Sequence, residues 1–226
     1  MITTTTQGIY AGVCLSTARP TTPYLGQVIF ETDTNKMKVW LGSVWSDGYT
    51  HVYTPPGDFY SIATTTVGAS GQTTITFSDI PQTFKHLQLR IMNRDAFSST
   101  LNNLYARFNG DTGSNYSVHG LLGNGSTAFS EGYANQTSMV FGLPSGNNAA
   151  ANIFGVSIVD ILDYTNTNKY KTARALMGND QNGSGSIRLW SNNWRSSSAV
   201  SSISLYSSSS PNTTQYSSFA LYGIKG

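Results

Sequence analysis

Short segments in which apolar and polar residues alternate recur along most of the chain. The alternation is clearest where Leu87, Leu89 and Ile91 are separated by Gln88 and Arg90. Because successive side chains of a strand point to opposite faces, this period of two indicates a half-buried β-strand. Strand-favouring segments between turn formers predict about nine or ten strands and no helix after residue 57. They cover residues 59–67, 73–77, 87–92, 104–108, 153–162, 171–177, 186–190, 200–206 and 219–224.

Residues 153–162 differ from the other segments because they form a nearly continuous apolar run. Such a run is typical of a strand that is buried on both faces. Asn109-Gly110, Asn124-Gly125 and Asn182-Gly183 are strong turn and hairpin signals. Many short strands joined by such turns predict an all-β fold, an antiparallel β-sandwich or jelly roll, rather than a parallel sheet.

The chain divides into two parts at the linker 55–57, Pro-Pro-Gly, which restricts the backbone and then permits a sharp turn. Residues 58–226 are predicted to form the sandwich domain. Residues 1–54 are predicted to form a small β-hairpin module, with strands at 27–30 and 36–41 around the turn-rich segment 31–35. A unit of two or three strands needs a partner surface, and Tyr24, Trp40 and Trp45 are the candidates to contact it.

The amino-acid composition mainly excludes classes of function and of structure. Charged residues make up 11% of the chain and the net charge is +2, whereas charged residues are about a quarter of an average soluble domain. No basic patch of the kind that nucleic-acid binding requires is visible. Cys14 is the single cysteine, so no internal disulfide forms. The first residues lack a signal peptide pattern and no segment is long and apolar enough to span a membrane, which predicts assembly in a cytoplasm.

The residues that could carry catalysis or bind metal are scattered. No histidine stands in a metal-binding or hydrolase motif, so we expect no catalytic site, no cofactor and no resident metal. Asp160 and Asp163 flank the end of a predicted strand, where a turn cap is the main interpretation and a surface calcium site or a catalytic carboxylate pair the alternatives. Asp111 has the same ambiguity. The histidines are His51, His86 and His119.

One aromatic segment stands out near the end of a predicted strand. Two tryptophans flank a short polar stretch and are followed by an arginine: Trp190, Asn192, Asn193, Trp194 and Arg195. Rings beside amides suit a sugar-binding surface, because apolar sugar faces stack on rings and amides hydrogen-bond to hydroxyls. Large aromatic residues are also common in subunit interfaces and in protein cores. All three interpretations, glycan contact, interface and core, stay open at this point.

The N-terminal part carries an extended motif: RP-x-x-P, then GQ-apolar-x-apolar-ETDT, then a strand that ends in W-x-G-x-x-W. The residues of the motif are Arg19, Pro20, Pro23, Gly26, Gln27, Glu31, Thr32, Asp33, Thr34, Trp40, Gly42 and Trp45. This motif resembles a hairpin module found repeatedly in phage tail fibres and other virion proteins. The remaining chain is similar to a β domain of predicted phage structural proteins, through residues 60–64, 80–90, 108–116, 160–169 and 215–225.

The resemblance implies a virion location and a non-catalytic structural role in an appendage such as a tail fibre or head fibre. The N-terminal module would attach to other virion proteins, the chain would form a homotrimer, and the β domain would face outward towards a host surface polysaccharide. The main alternative is a capsid decoration or connector protein without receptor binding. A polysaccharide-degrading tailspike and a cellular carbohydrate-binding module are further alternatives, and neither nucleic acid nor membrane is an expected partner.

Overall fold

The computed structural model describes residues 12–47, 58–209 and 212–226. The chain forms two compact units, Met1–Gly57 and Asp58–Gly226, and each is described by itself. Within the described residues all of the secondary-structure elements are β-strands, which confirms the all-β prediction. Those residues contain no helix with the length and apolar character needed to cross a membrane.

The strands in the described part of the N-terminal unit are β1 (Gly12–Cys14), β2 (Val28–Glu31), β3 (Lys36–Trp40) and β4 (Trp45–Asp47). They form one sheet in the order β1-β2-β3-β4. Strand β1 runs parallel to β2, while β3 is antiparallel to both β2 and β4. The tight connection between β2 and β3 contains Asn35 in the left-handed region, with φ 54°.

The motif residues of this unit bind one another. The buried carboxylate of Glu31 accepts hydrogen bonds from Arg19 Nε at 2.5 Å and from Thr34 Oγ1 at 2.7 Å. The hydrogen bond from Arg19 holds the pKa of Glu31 below its ordinary value. Asp33 accepts hydrogen bonds from the backbone and hydroxyl groups of Ser16. These contacts give the arginine and the acidic residues of the motif a structural role in closing a small sheet.

The C-terminal unit contains the other strands of the described residues. They are β5 (Phe59–Thr66), β6 (Thr74–Phe77), β7 (His86–Asn93), β8 (Leu104–Phe108), β9 (Tyr116–Gly123), β10 (Ala128–Gln136), β11 (Met139–Gly142), β12 (Gly155–Leu162), β13 (Lys171–Asp180), β14 (Gly185–Trp194), β15 (Ile203–Ser207) and β16 (Ser218–Ile224). Within the described residues, a large sheet has the order β10-β9-β14-β13-β12-β7-β16-β5, and a small sheet has the order β11-β8-β15-β6. All pairings between these strands are antiparallel.

The core lies between the two sheets, because one face of each contributes to a single buried apolar cluster. Strand β7 illustrates the cause: Leu87, Leu89 and Ile91 are buried, while Arg90 and Met92 on the opposite face are exposed. The small sheet covers the inner face of the large sheet with residues such as Phe108 and Leu205. The arrangement is that of a two-layer β-sandwich.

The structure corrects one element and adds others. Strand β12 is not buried on both faces: Val159 and Ile161 are buried, whereas Val156, Ile158 and Leu162 are exposed. Strands β9 and β10 are additional to the predicted strands, because their sequences contain glycine and polar residues at positions where strand-favouring residues are usual. Strand β11 is also additional, and it is only four residues long. The turn predicted at Asn182-Gly183 is confirmed: it joins β13 to β14, and both residues have positive φ.

Candidate functional site

The two tryptophans of the predicted aromatic site lie on β14 and face the core. Trp190 and Trp194 are 2% and 3% exposed. Trp194 stacks on Tyr116 with ring centroids 6.4 Å apart and meets Phe108 edge-on at 5.7 Å. Its Nε1 donates to Asp111 Oδ2 at 2.7 Å. Of the three interpretations that the sequence left open, the structure supports the core for both rings rather than glycan stacking or a subunit interface, because neither ring face is on the surface.

The polar residues between and after the tryptophans form hydrogen bonds within the chain. The buried Asn192 accepts a hydrogen bond from Val140 N at 2.8 Å and donates to Val140 O at 3.2 Å, which joins the large sheet to the small one. Asn193 is partly exposed and donates weakly to Lys171 O. Arg195 is exposed and donates to Asn135 Oδ1 at 2.8 Å. The five residues thus form no shared exposed surface, since they alternate between the two faces of the sheet.

The structure brings together two of the three aromatic residues that were predicted to dock the N-terminal unit. Trp40 and Trp45 are directly paired across β3 and β4, with ring centroids 5.5 Å apart. Tyr24 is 70% exposed, and Leu25 beside it is more exposed still. Leu41 and Val44 add exposed apolar side chains in the turn between the two tryptophans. Docking through these residues stays a prediction.

The acidic residues that the sequence left open have structural partners. Asp111 organises its own turn, accepting hydrogen bonds from Gly113 N at 2.8 Å and Asn115 Nδ2 at 3.0 Å in addition to Trp194. Asp163 pairs with Lys85 and Lys169, and Asp160 accepts from Gln88 Nε2 at 2.8 Å. Among the described residues, no group of three or more His, Cys, Asp and Glu side chains could hold a metal ion.

The outer face of the large sheet carries the most unusual surface of the described residues. One row of aliphatic side chains runs straight across four neighbouring strands in register: Leu121 on β9, Leu189 on β14, Leu176 on β13 and Ile158 on β12. All four are exposed, from 42% for Leu189 and Ile158 to 58% for Leu121. A half-buried antiparallel sheet normally has polar residues on this face.

A second apolar row lies two residues away along the same strands. It contains Ile187 on β14, Val156 on β12 and Met92 on β7, all exposed. Gly178 lies in register between Ile187 and Val156, and Gly123 on β9 lies beyond Ile187. Rows two residues apart on one face are about 7 Å from each other. The two rows together define the outer apolar face: Met92, Leu121, Val156, Ile158, Leu176, Ile187 and Leu189.

Charged and polar residues border this face. Arg90 continues the first row on β7, next to Ile158. The adjacent row in the other direction is polar, and there Arg174 lies directly opposite Asp160. The outer apolar face is thus bounded by side chains of both signs. Local sequence patterns do not predict this face as a whole, although the apolar run at 153–162 and the large residues on both faces of β13 and β14 are signals for it.

Comparison of the chain with protein-family models, with curated proteins and with solved structures finds no match.

Proposed function

We propose that this chain is a non-catalytic structural protein of a bacteriophage virion, an appendage component of the tail-fibre or head-fibre type that attaches to the host surface. The observation that carries the proposal is the outer apolar face of the large sheet, which suits assembly rather than catalysis. Monomeric soluble proteins rarely expose contiguous apolar patches of more than a few hundred Å². Seven apolar side chains in two neighbouring rows form a patch of the kind that marks an interface.

The occupant that we propose for this face is a second copy of the same chain, within a homotrimer. Arg90 and Arg174 carry positive charge at its border and Asp160 carries negative charge, so copies can pair opposite charges around an apolar centre. The net charge of +2 gives little repulsion between copies. Closed symmetric oligomers are the general rule for such proteins.

The placement in a phage virion is supported by the sequence resemblance of both units. The motif residues of the N-terminal unit form its internal network around Glu31, which leaves Tyr24 and its exposed neighbours available for other virion proteins. A sandwich with few charges and many tight turns suits an external part that must resist proteases. Host surface polysaccharide is the proposed receptor class.

Two measurements on the same purified protein test this proposal: oligomeric mass by light scattering, and binding of the fluorescently labelled protein to intact host cells. We expect a trimer that binds in a saturable manner. The double variant Ile158→Lys and Leu176→Lys should dissociate the oligomer, because each lysine would place a charge in the interface. Thr76→Lys, on the exposed face of the small sheet, is the matched control and should leave the oligomer intact.

The outcomes separate the proposal from its main alternative. A folded oligomer that binds no susceptible strain would favour the decoration or connector role and would contradict attachment. A wild-type protein that is monomeric at all accessible concentrations would contradict assembly through the outer apolar face.

A further inference from the structure

A concave surface lies on the inner side of the large sheet, at the edge formed by β10. It is a cleft of about 350 Å³, within the range of small-ligand sites. Its floor and walls come from both sheets: β9, β10 and β14 on one side, and β8, β11 and the residues before them on the other. The side chains on which the argument depends are Asn103, Tyr105, Glu131, Tyr133 and Trp190.

The position of Trp190 in this cleft follows from a glycine. Trp190 lies directly opposite Gly120 of β9, and Gly120 lies directly opposite Glu131 of β10. A Cβ atom at Gly120 would be 2.9 Å from two atoms of the indole ring. The ring therefore covers the bare backbone of β9 and extends towards the strand of Glu131. A larger residue at position 120 would displace it.

The indole N–H of Trp190 is buried and has no hydrogen-bond partner among the described residues. The indole N–H of Trp194, on the same strand, is hydrogen-bonded, as buried donors usually are: it donates to Asp111. A buried donor without an acceptor costs about 1–3 kcal/mol, and such a group calls for a specific explanation. An acceptor supplied by a ligand in the cleft would complete it.

The other polar groups of the cleft are available in the same way. Within the described residues, the carboxylate of Glu131 and the hydroxyl groups of Tyr105 and Tyr133 take part in no hydrogen bond or ion pair. Asn103 is held through its carbonyl, since Oδ1 accepts from Arg188 Nη1 at 3.2 Å, which leaves its amide N–H groups to donate. Burial lowers the pKa of Arg188, and the negative charge of Glu131 offsets part of that effect.

These groups match an uncharged ligand with many hydroxyls. We infer that the cleft binds a neutral hexose unit of a surface polysaccharide; this inference rests on the attachment role proposed above and names its ligand class and its site. Glu131 accepts from hydroxyl groups, Asn103 and the Trp190 N–H donate to them, and the exposed ring of Tyr133 covers an apolar sugar face. The carboxylate disfavours anionic sugars, because a second negative charge would be repelled there.

Ligand-observed NMR on the full chain tests this assignment. The probes are D-glucose, D-galactose, D-mannose and N-acetyl-D-glucosamine, together with purified surface polysaccharide from a susceptible host. We expect saturation transfer to at least one hexose. Affinity should fall about tenfold or more in Glu131→Gln and in Tyr133→Ala, which corresponds to the loss of one charged hydrogen bond or one ring contact. Tyr170→Ala, an exposed tyrosine outside the cleft, should bind as the wild type does.

A second variant keeps the test independent of folding. Trp190→Phe keeps an aromatic ring over Gly120 but removes the unpaired N–H, so the variant should fold, while its affinity for the hexose drops several-fold. Binding that is equal in Glu131→Gln, Tyr133→Ala and wild type would overturn the assignment of the cleft, as would the absence of binding to every probe.

The failure of this inference and the failure of the proposed function give different results. If the protein is a trimer that binds host cells but binds no hexose probe, the cleft is not the receptor site and the proposed function stands. If hexose binding is lost in the cleft variants but the wild-type protein never assembles or binds cells, the cleft is a sugar site and the appendage proposal fails.

Discussion

The two faces of the large sheet are both apolar at their centre, and only one of them is covered by the small sheet. On β13 the inner face presents the small residues Ala173 and Ala175, which are buried, while the outer face presents Leu176, which is 52% exposed. The larger side chain is therefore the one in solvent. The fold of one chain requires the inner face to be apolar, but it requires nothing of the outer face. This is the basis on which we propose assembly through its aliphatic rows.

The largest expected effect comes from removing a large side chain from the covered face. Phe219 on β16 is fully buried in the core. Phe219→Ala should lower the free energy of unfolding by about 3–5 kcal/mol, because the cavity it leaves is not refilled. Urea unfolding followed by tryptophan fluorescence measures the change. Ile187→Ala on the outer face is the comparison, and an equal loss in the dissociated chain would contradict the distinction between the faces.

A smaller loss is expected at a buried charge on the inner side. Lys171 is fully buried, and its Nζ donates to the backbone carbonyls of Asn166, Lys169 and Ser197. Burial lowers the pKa of this ammonium group. Lys171→Met should cost about 1–3 kcal/mol, because three backbone carbonyl groups lose the buried ammonium group that donates to them. Thermal unfolding measures it.

Lys169→Met is the matched control for that variant. Lys169 is exposed and pairs with Asp163, and exposed ion pairs contribute about 0–1 kcal/mol. Its melting temperature should stay close to that of the wild type. If both lysine variants lose the same stability, the hydrogen bonds from Lys171 to Asn166, Lys169 and Ser197 are not what stabilises the segments before β13 and after β14.

A pH-dependent effect on stability is expected at Asp111, which lies in the turn between β8 and β9 and accepts a hydrogen bond from Trp194. Burial raises the pKa of Asp111, but the hydrogen bonds from Trp194, Asn115 and Gly113 outweigh it, and the net shift is downward. A carboxyl group whose pKa is lower in the folded chain stabilises it above the unfolded pKa, and this contribution is lost as pH falls through the folded pKa. Asp111→Asn should cost about 1 kcal/mol at neutral pH.

The pH profile separates this effect from a general loss of packing. Unfolding free energies of wild type and Asp111→Asn should begin to approach each other as pH falls below the ordinary carboxyl pKa of about 3.9, and should meet only below the lowered pKa of Asp111 in the folded chain, where its carboxyl group becomes protonated. A constant difference between the two proteins from pH 7 to pH 3 would show that the hydrogen bonds to the ionised carboxylate are not the cause.

The smallest change in stability is expected on the outer face. Leu189→Ser should alter the free energy of unfolding of the dissociated chain by less than about 0.5 kcal/mol, because the side chain is exposed there. The same substitution should weaken self-association, which sedimentation velocity measures across a concentration series. Unchanged association in this variant, with Thr76→Ser as the control, would contradict the role of the first apolar row.

Much of the fold could be predicted from local patterns, while the candidate sites could not. The alternation at 87–91 and the Asn182-Gly183 turn are local signals, and both appear in the structure as expected. From the sequence, Trp190 and Trp194 could equally be surface or core residues, because aromatic residues are common in binding surfaces and in cores. Their burial depends on the small sheet, whose partner strands lie far away in the chain. Strands β9 and β10 were missed because Gly120, Gly123 and Gly132 weaken the strand signal.

The sequence by itself determined that the chain is all-β and where most of its tight turns lie, because alternation, turn residues and the scarcity of helix formers act over a few neighbouring residues. Only the tertiary structure decided which of two apolar faces is covered, and that Gly120 gives Trp190 room beside Glu131. Strand order and register set those outcomes, since they bring together residues from β7, β9, β12, β13 and β14 that no local pattern connects. Burial is a property of the neighbours that a side chain acquires on folding.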